Sequence, residues 1–176
     1  MQLDIEPERM TEHAAIRAVV RAAFDTEPKV ANLVDVIRES PEFVPELTLV
    51  ARHDGEVVGH VMLSHAELVD ERGDRHRVLT LSPLAVAPAV QGRGIGSALV
   101  RAGLAGAEAR GEQLVVLEGS PRYYPRFGFR DARTLAVQID LPDWASPEAG
   151  MAYPLSAYDP KTRGRLVYPP AFAVLG

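Results

Sequence analysis

The chain has 176 residues, 47% of them hydrophobic and 24% charged, with a formal net charge of −5; this is the balance of one globular domain with a full core, not of a disordered segment. The negative charge gives no general cationic field for nucleic acid or an anionic membrane surface, and the absence of cysteine excludes disulfides, thiolate metal sites and a cysteine nucleophile. MQLDIEPERM at the start is acidic and unlike a secretory signal, and no stretch approaches the roughly 18 apolar residues of a bilayer span, so a cytoplasmic protein is the expectation.

Residues 2–6 alternate and fit an edge strand. Thr11 is placed to cap a helix on which Ile16, Val19, Val20, Ala23 and Phe24 share one face. Val30, Leu33, Val34 and Ile37 mark a second short helix that stops before Pro41. LTLVARH (47–53) reads as a strand, Asp54-Gly55 as the positive-φ pair of a hairpin turn. EVVGHVMLSHAELV (56–69) returns as a long strand in which Gly59 marks a bulge or a close approach. DERGDRHR (70–77) reads as a solvated loop and VLTLSPLAVAP (78–88) as the next strand.

IGSALVRAGLAGAEAR (95–110) has helical periodicity, with Leu99, Val100, Leu104 and Ala107 inward and Gly111 just past its end. LVVLE (114–118) is a continuous apolar run, as in a strand buried on both faces. A helix joining two such strands makes the right-handed crossover of a parallel pair. Ser120-Pro121 starts a short helix, and further strands fit 133–141 and 170–175. The expectation is a single domain over residues 1–176, an α/β layer fold with a mixed sheet.

The segment VAPAVQGRGIGS (86–97) sits between a strand and a helix. Glycines at a helix start bring several unpaired backbone N–H groups together, the helix dipole adds partial positive charge, and the missing side chains let an anion approach. A phosphate is the usual occupant; the plainer alternative is a tight connection. A P-loop is excluded, because it needs a lysine in the loop and the only lysines are Lys29 and Lys161. A dinucleotide fingerprint fits in part, with Glu118 ending the next strand, but its third glycine position holds Ser97 or Leu99 and the motif does not open the domain.

LAVAPAVQGRGIGSALV resembles motif A of the GNAT superfamily of N-acetyltransferases, Q/R-x-x-G-x-G/A after a strand ending V-x-P; here it is Gln91-Gly92-Arg93-Gly94-Ile95-Gly96. EGSPRYYPRFGFR (118–130) resembles the family segment with a tyrosine four residues before G-F, and YYPRFGF with YPPAF (168–172) is similar to a bacterial group of predicted acetyltransferases. The likeness covers roughly residues 1–140 and implies a mostly antiparallel mixed sheet flanked by helices, with a splayed parallel pair formed by the fourth and fifth strands. It implies acetyl-CoA as acetyl donor, with no metal: backbone groups of Leu84, Ala85 and Val86 along the pantetheine arm, and N–H groups from Gly92 through Ser97, including Gly94, Ile95 and Gly96, at the pyrophosphate. Arg93 is placed to reach a phosphate or to face solvent, and Val86 N–H is the candidate oxyanion donor.

Direct attack of an amine on the thioester needs a neutral nucleophile, a donor for the developing oxyanion and a proton for the leaving thiolate. By the resemblance Tyr124 is that acid, a phenol protonated at neutral pH; packing, as for Tyr123, Phe127 and Phe129, is the alternative. Glu118 is a candidate base or a structural carboxylate. His60 and His65 lie five apart on one strand, hence on opposite faces, and make no metal site. Asp25, Glu27 and Glu39 are candidates to attract a cationic amine or simply solvated, and residues 142–165, with Trp144, Tyr153 and Tyr158, either line an acceptor pocket or form a dimer contact. The implied partners are a small-molecule or peptide amine acceptor, with no nucleic acid and no membrane, on a monomer or homodimer. The alternative from another class is a non-catalytic acyl-CoA-binding module or sensor.

Overall fold

The computed structural model describes residues 1–176 and divides them into two compact units. The first comprises residues 1–64, 82–106 and 170–176; the second comprises 65–81 and 107–169. Nine strands and three α-helices are present: β1 (Asp4–Pro7), α1 (His13–Ala23), α2 (Lys29–Arg38), β2 (Thr48–His53), β3 (Glu56–Val69), β4 (Arg75–Val86), α3 (Ile95–Ala109), β5 (Leu114–Glu118), β6 (Arg130–Asp131), β7 (Val137–Gln138), β8 (Gly150–Pro154) and β9 (Gly164–Val167). The hydrogen-bonded strand order is β1-β2-β3-β4-β5-β8-β6, with β9 on β3 and β7 on β9.

In the first unit β1, β2 and β3 pair antiparallel. Asp54 and Gly55 turn the β2–β3 hairpin with φ of 50° and 79°, as a two-residue hairpin requires. The register slips between Ala51 and Arg52, so that Ala51 faces Gly59 while Arg52 faces Val57. Gly59 is also a close approach: a Cβ there would lie 2.9 Å from Leu99 Cδ1 and 3.0 Å from Ile95 Cγ2. The missing side chain therefore lets α3 settle onto β3. On α1 and α2 the buried residues are Ile16, Val19, Val20, Val30, Ala31, Leu33, Val34 and Ile37, and they share one core with Val50, Met62, Ala85 and Ala171. This is the helical stripe read from the sequence.

Thr11 does not cap α1. It lies inside a 3-10 turn, Met10–Glu12, and the acceptor at this helix start is Glu12, whose Oε1 takes the Arg9 N–H at 2.9 Å. Residues 170–175 form a 3-10 helix instead of a strand, with Ala171 buried. Pro169 and Pro170 have no N–H to offer a ladder, which accounts for the difference.

In the second unit β4 and β5 run parallel, Leu79 opposite Val115 and Thr80 opposite Val116. β5 pairs antiparallel with β8, and β8 with β6; β7 and β9 add a second parallel pair that the sequence did not signal. The loop expected at 70–77 is shorter, since β4 already begins at Arg75. Polar residues extend this hairpin beyond the core: Asp70 Oδ1 accepts the N–H groups of Arg72 and Asp74, and Asp70 Oδ2 lies 2.8 Å from His76 Nε2. Only Val137 and Gln138 of the expected 133–141 strand pair as a strand. Asp131 caps Arg133 N–H at 3.0 Å and Thr134 donates to Asp131 O, so 132–135 coils into a 3-10 turn.

Helix α3 closes as expected. Gly111 has φ 74°, its N–H donates to Glu108 O, and Glu112 N–H donates to Ala107 O, the paired bonds of a Schellman cap. The helix is 15 residues long, with Ile95, Leu99, Val100, Leu104 and Ala107 buried.

Candidate active site

The end of β4 and the turn after it lie in the first unit. Ala87 N–H donates to Val58 O at 2.9 Å and so points toward β3. The Val86 carbonyl, trans to that N–H across one peptide plane, points off the other edge. There it accepts from Gln91 Nε2 at 3.0 Å. Gln91, the glutamine of the sequence pattern, thus ties the turn to the strand end. Leu84 and Val86 are half-buried and Ala85 is buried in the core. By strand alternation the Val86 N–H shares the edge its carbonyl faces.

Gly92 and Gly94 have φ of 75° and 85°, and a Cβ on either would meet nothing within 4 Å. Their requirement is therefore conformational: the left-handed backbone disfavours a side chain even where there is room for one. Gly96 is different, lying within the first turn of α3. Residues 91–94 are exposed, whereas Ile95 is buried against the Gly59 position and contributes only its backbone to this surface. Arg93 is exposed beside the glycines. Ala98 N–H to Gly94 O, at 3.0 Å, is the bond that starts the helix, leaving the N–H groups of Gly94, Ile95 and Gly96 without an acceptor inside it. These donors, the positive end of a 15-residue helix and an exposed turn free of side chains at two positions fit an anionic phosphate group.

The second unit carries the titratable candidates. Glu118 ends β5 opposite Gly150, and Gly119 N–H donates to Ala149 O at 2.9 Å, so the backbone here is held on β8. Ser120 then folds the chain back: its carbonyl accepts the N–H groups of Tyr123 and Tyr124, and its hydroxyl accepts Arg122 N–H. The regular 3-10 turn begins only at Tyr124 and runs to Phe127, three residues later than Ser120-Pro121 suggested. Tyr124 lies with its ring against Gly119, in edge contact with Tyr123 (5.0 Å between centroids) and Phe129 (5.7 Å). Burial, aided by Tyr123, pushes the Tyr124 phenol up to about 12. Glu118 itself is exposed, and its Oε2 accepts a hydrogen bond from the Tyr168 hydroxyl at 2.5 Å. Sequence reasoning missed Tyr168; the only signal was its place in the YPPAF segment.

Neither histidine of β3 is exposed. His60 is fully buried, and desolvation together with Arg38 holds it down at about 3, hence neutral. His65 lies 3.3 Å from Glu112 Oε2. No group of three or more His, Asp or Glu side chains is placed to hold a metal ion. In the segment 142–165, Trp144 is 86% exposed and β8 and the start of β9 supply sheet positions.

The model of the acetyltransferase (GNAT) family matches residues 14–129. The chain belongs to the GNAT family. Its curated relatives include the uncharacterized N-acetyltransferase YjhQ of Escherichia coli, 40% identical over 114 residues, which are 65% of this chain and 62% of that protein's length. Another GNAT relative, the uncharacterized N-acetyltransferase YhbS of Escherichia coli, is 36% identical over 72% of this chain and 70% of its own length. The crystal structure of YhbS in complex with CoA superposes with a TM-score of 0.85 and 28% identity, covering 98% of this chain and 93% of that one. A GNAT acetyltransferase from Brucella melitensis in complex with acetyl-CoA gives a TM-score of 0.78 at 31% identity, covering 97% and 98%. The mixed sheet with its parallel β4–β5 pair, flanked by helices, is the GNAT fold.

Proposed function

We propose that this protein transfers the acetyl group of acetyl-CoA directly to a primary amine, a small molecule or a peptide, in a ternary complex. The observation that carries the proposal is the exposed 91–94 turn, with two positive-φ glycines at the head of a 15-residue helix. Support comes from family neighbours at 28% and 31% identity that hold CoA and acetyl-CoA. In this reading the N–H groups from Gly92 through Ser97 bind the pyrophosphate, with Arg93 beside them. The outward edge of Leu84–Val86 binds the pantetheine arm as an added strand, and acetyl-CoA supplies the activated thioester.

Val86 N–H stabilises the charge developing on the carbonyl oxygen. Glu118 accepts the proton that the attacking nitrogen loses. Tyr124 donates toward the sulfur as the carbon–sulfur bond breaks. A thiol ordinarily titrates near 8.5, so a phenol held at about 12 acts first as a hydrogen-bond donor to the forming thiolate and never as an ionised group at neutral pH.

The test is release of CoA from acetyl-CoA against a panel of alkylamines, polyamines, amino acids and peptide N-termini, with Tyr124→Phe run beside the wild type. Turnover with at least one amine, falling at least tenfold in Tyr124→Phe while acetyl-CoA affinity is unchanged, is the expected result. Silence across the panel together with tight CoA binding would instead establish an acyl-CoA-binding module.

A further inference from the structure

We infer that Tyr168 is a positioning residue for Glu118: its hydroxyl holds one carboxylate oxygen so that the other is presented to the acceptor amine. The inference rests on Glu118 acting as the proton acceptor, and it adds a residue outside both sequence motifs. Three observations carry it. The Tyr168 hydroxyl donates to Glu118 Oε2 at 2.5 Å, and a hydrogen bond to an ionised carboxylate is stronger than one between neutral groups. Both ends of this bond are anchored through the backbone. Glu118 is fixed by the β5–β8 ladder, opposite Gly150. Tyr168 follows directly on β9, where Leu166 and Val167 pair with Leu68 and Glu67.

The second anchor of Tyr168 is Pro169-Pro170. A residue before proline is confined to extended conformations, and a second proline stiffens the exit. The ring itself packs against the core formed by Ala66, Leu68, Val78, Leu114 and their neighbours. The phenol is therefore stationed at Glu118, while an exposed glutamate without such a partner samples several rotamers.

The chemistry of the pair is directional. As the nitrogen–carbon bond forms and the carbon–sulfur bond breaks, CoA leaves as a thiolate and the nitrogen's proton passes to Glu118 Oε1, giving the neutral carboxylic acid, and then to water. Tyr168 keeps its own proton throughout. Burial and the facing carboxylate push that phenol well above its ordinary range, so it serves as a fixed donor and not as a second acid.

The experiment uses the full chain. Tyrosine labelled with carbon-13 at Cζ reports the ionisation of each of the five tyrosines, with Tyr168 assigned through Tyr168→Phe. In Glu118→Gln the Tyr168 resonance is expected to titrate at lower pH than in the wild type, because the opposing carboxylate is gone. An unchanged titration would overturn the pair.

A second readout uses n-butylamine as probe acceptor. Tyr168→Phe is expected to lower kcat about tenfold with KM for acetyl-CoA unchanged, and Glu118→Gln about a hundredfold. The double variant should be no slower than Glu118→Gln alone. Additive losses, or a parallel rise in KM, would contradict action through Glu118. A wild type silent toward n-butylamine counts against the amine-transfer reading, and the Tyr168 titration then decides the pair by itself.

Discussion

A methyl group on Gly119 would lie 2.5 Å from Cε2 and 3.0 Å from Cδ2 of Tyr124. The ring of residue 124 fills the space a side chain at 119 would need, one position beyond Glu118. Gly119→Ala must therefore move that ring, at a cost of about 1–3 kcal/mol in stability for overpacking. The expected functional outcome is a fall in turnover of at least tenfold. In a Tyr124→Phe background the alanine should add little, because the hydroxyl it displaces is already gone. Steady-state kinetics of the four proteins check this, and equal losses in both backgrounds would show that Gly119 does not act through Tyr124.

The raised Tyr124 phenol makes a prediction about alkaline pH. An ordinary tyrosine is half ionised near pH 10. Burial and Tyr123 push Tyr124 to about 12, and the phenol must be protonated to donate. Turnover should consequently show no alkaline fall due to Tyr124 through about pH 10. A limb near that pH, present in the wild type and absent from Tyr124→Phe, would contradict the assignment.

Gly94 separates the two meanings of the glycine segment. Its φ is 85° and a Cβ would touch nothing, so alanine costs about 1–2 kcal/mol of backbone strain. The chain relieves that strain by turning the local peptide units. If these units bind the pyrophosphate, Gly94→Ala lowers acetyl-CoA affinity at least tenfold while thermal stability falls only slightly. A lower melting temperature with unaltered affinity would reduce the segment to a tight connection.

Glu12 sets an acid limit on the first unit. Its carboxylate accepts from Arg52 Nε at 2.6 Å and Nη2 at 2.8 Å, and from Arg9 N–H at 2.9 Å. The Arg52 hydrogen bonds lead in holding it at about 2, against an ordinary 4.5. A folded-state value below the unfolded one gives stability that is fully present above the unfolded value and lost as pH falls through the folded one. Glu12→Gln should accordingly be less stable than wild type at neutral pH, with the difference shrinking from about pH 4.5 toward pH 2. Urea midpoints across that range test it, and a difference that persisted at pH 2 would contradict the linkage.

What the sequence made legible follows from which interactions are local. The stripes of α1 and α2, the Asp54-Gly55 turn, the run at β5 and the cap at Gly111 each depend on a short window, and each appears where the pattern placed it. The misreadings come where a side chain competes with the backbone or a proline removes a donor. Asp131 and Thr134 coil a segment whose apolar content reads as a strand, and Pro169-Pro170 do the same for the last residues. β8 and β9 stayed hidden because strands of five and four residues carry too little alternation to stand out among the prolines around them. The Tyr168–Glu118 bond spans fifty positions, and no local window contains both partners.

The central claim is that the glycine turn binds the pyrophosphate of acetyl-CoA. Calorimetric titration of the wild-type protein with acetyl-CoA, with NADH and ATP titrated alongside, tests it most directly. Micromolar binding of acetyl-CoA with no heat from the other two is the result predicted. Absence of acetyl-CoA binding, or binding of NADH in its place, would contradict the account.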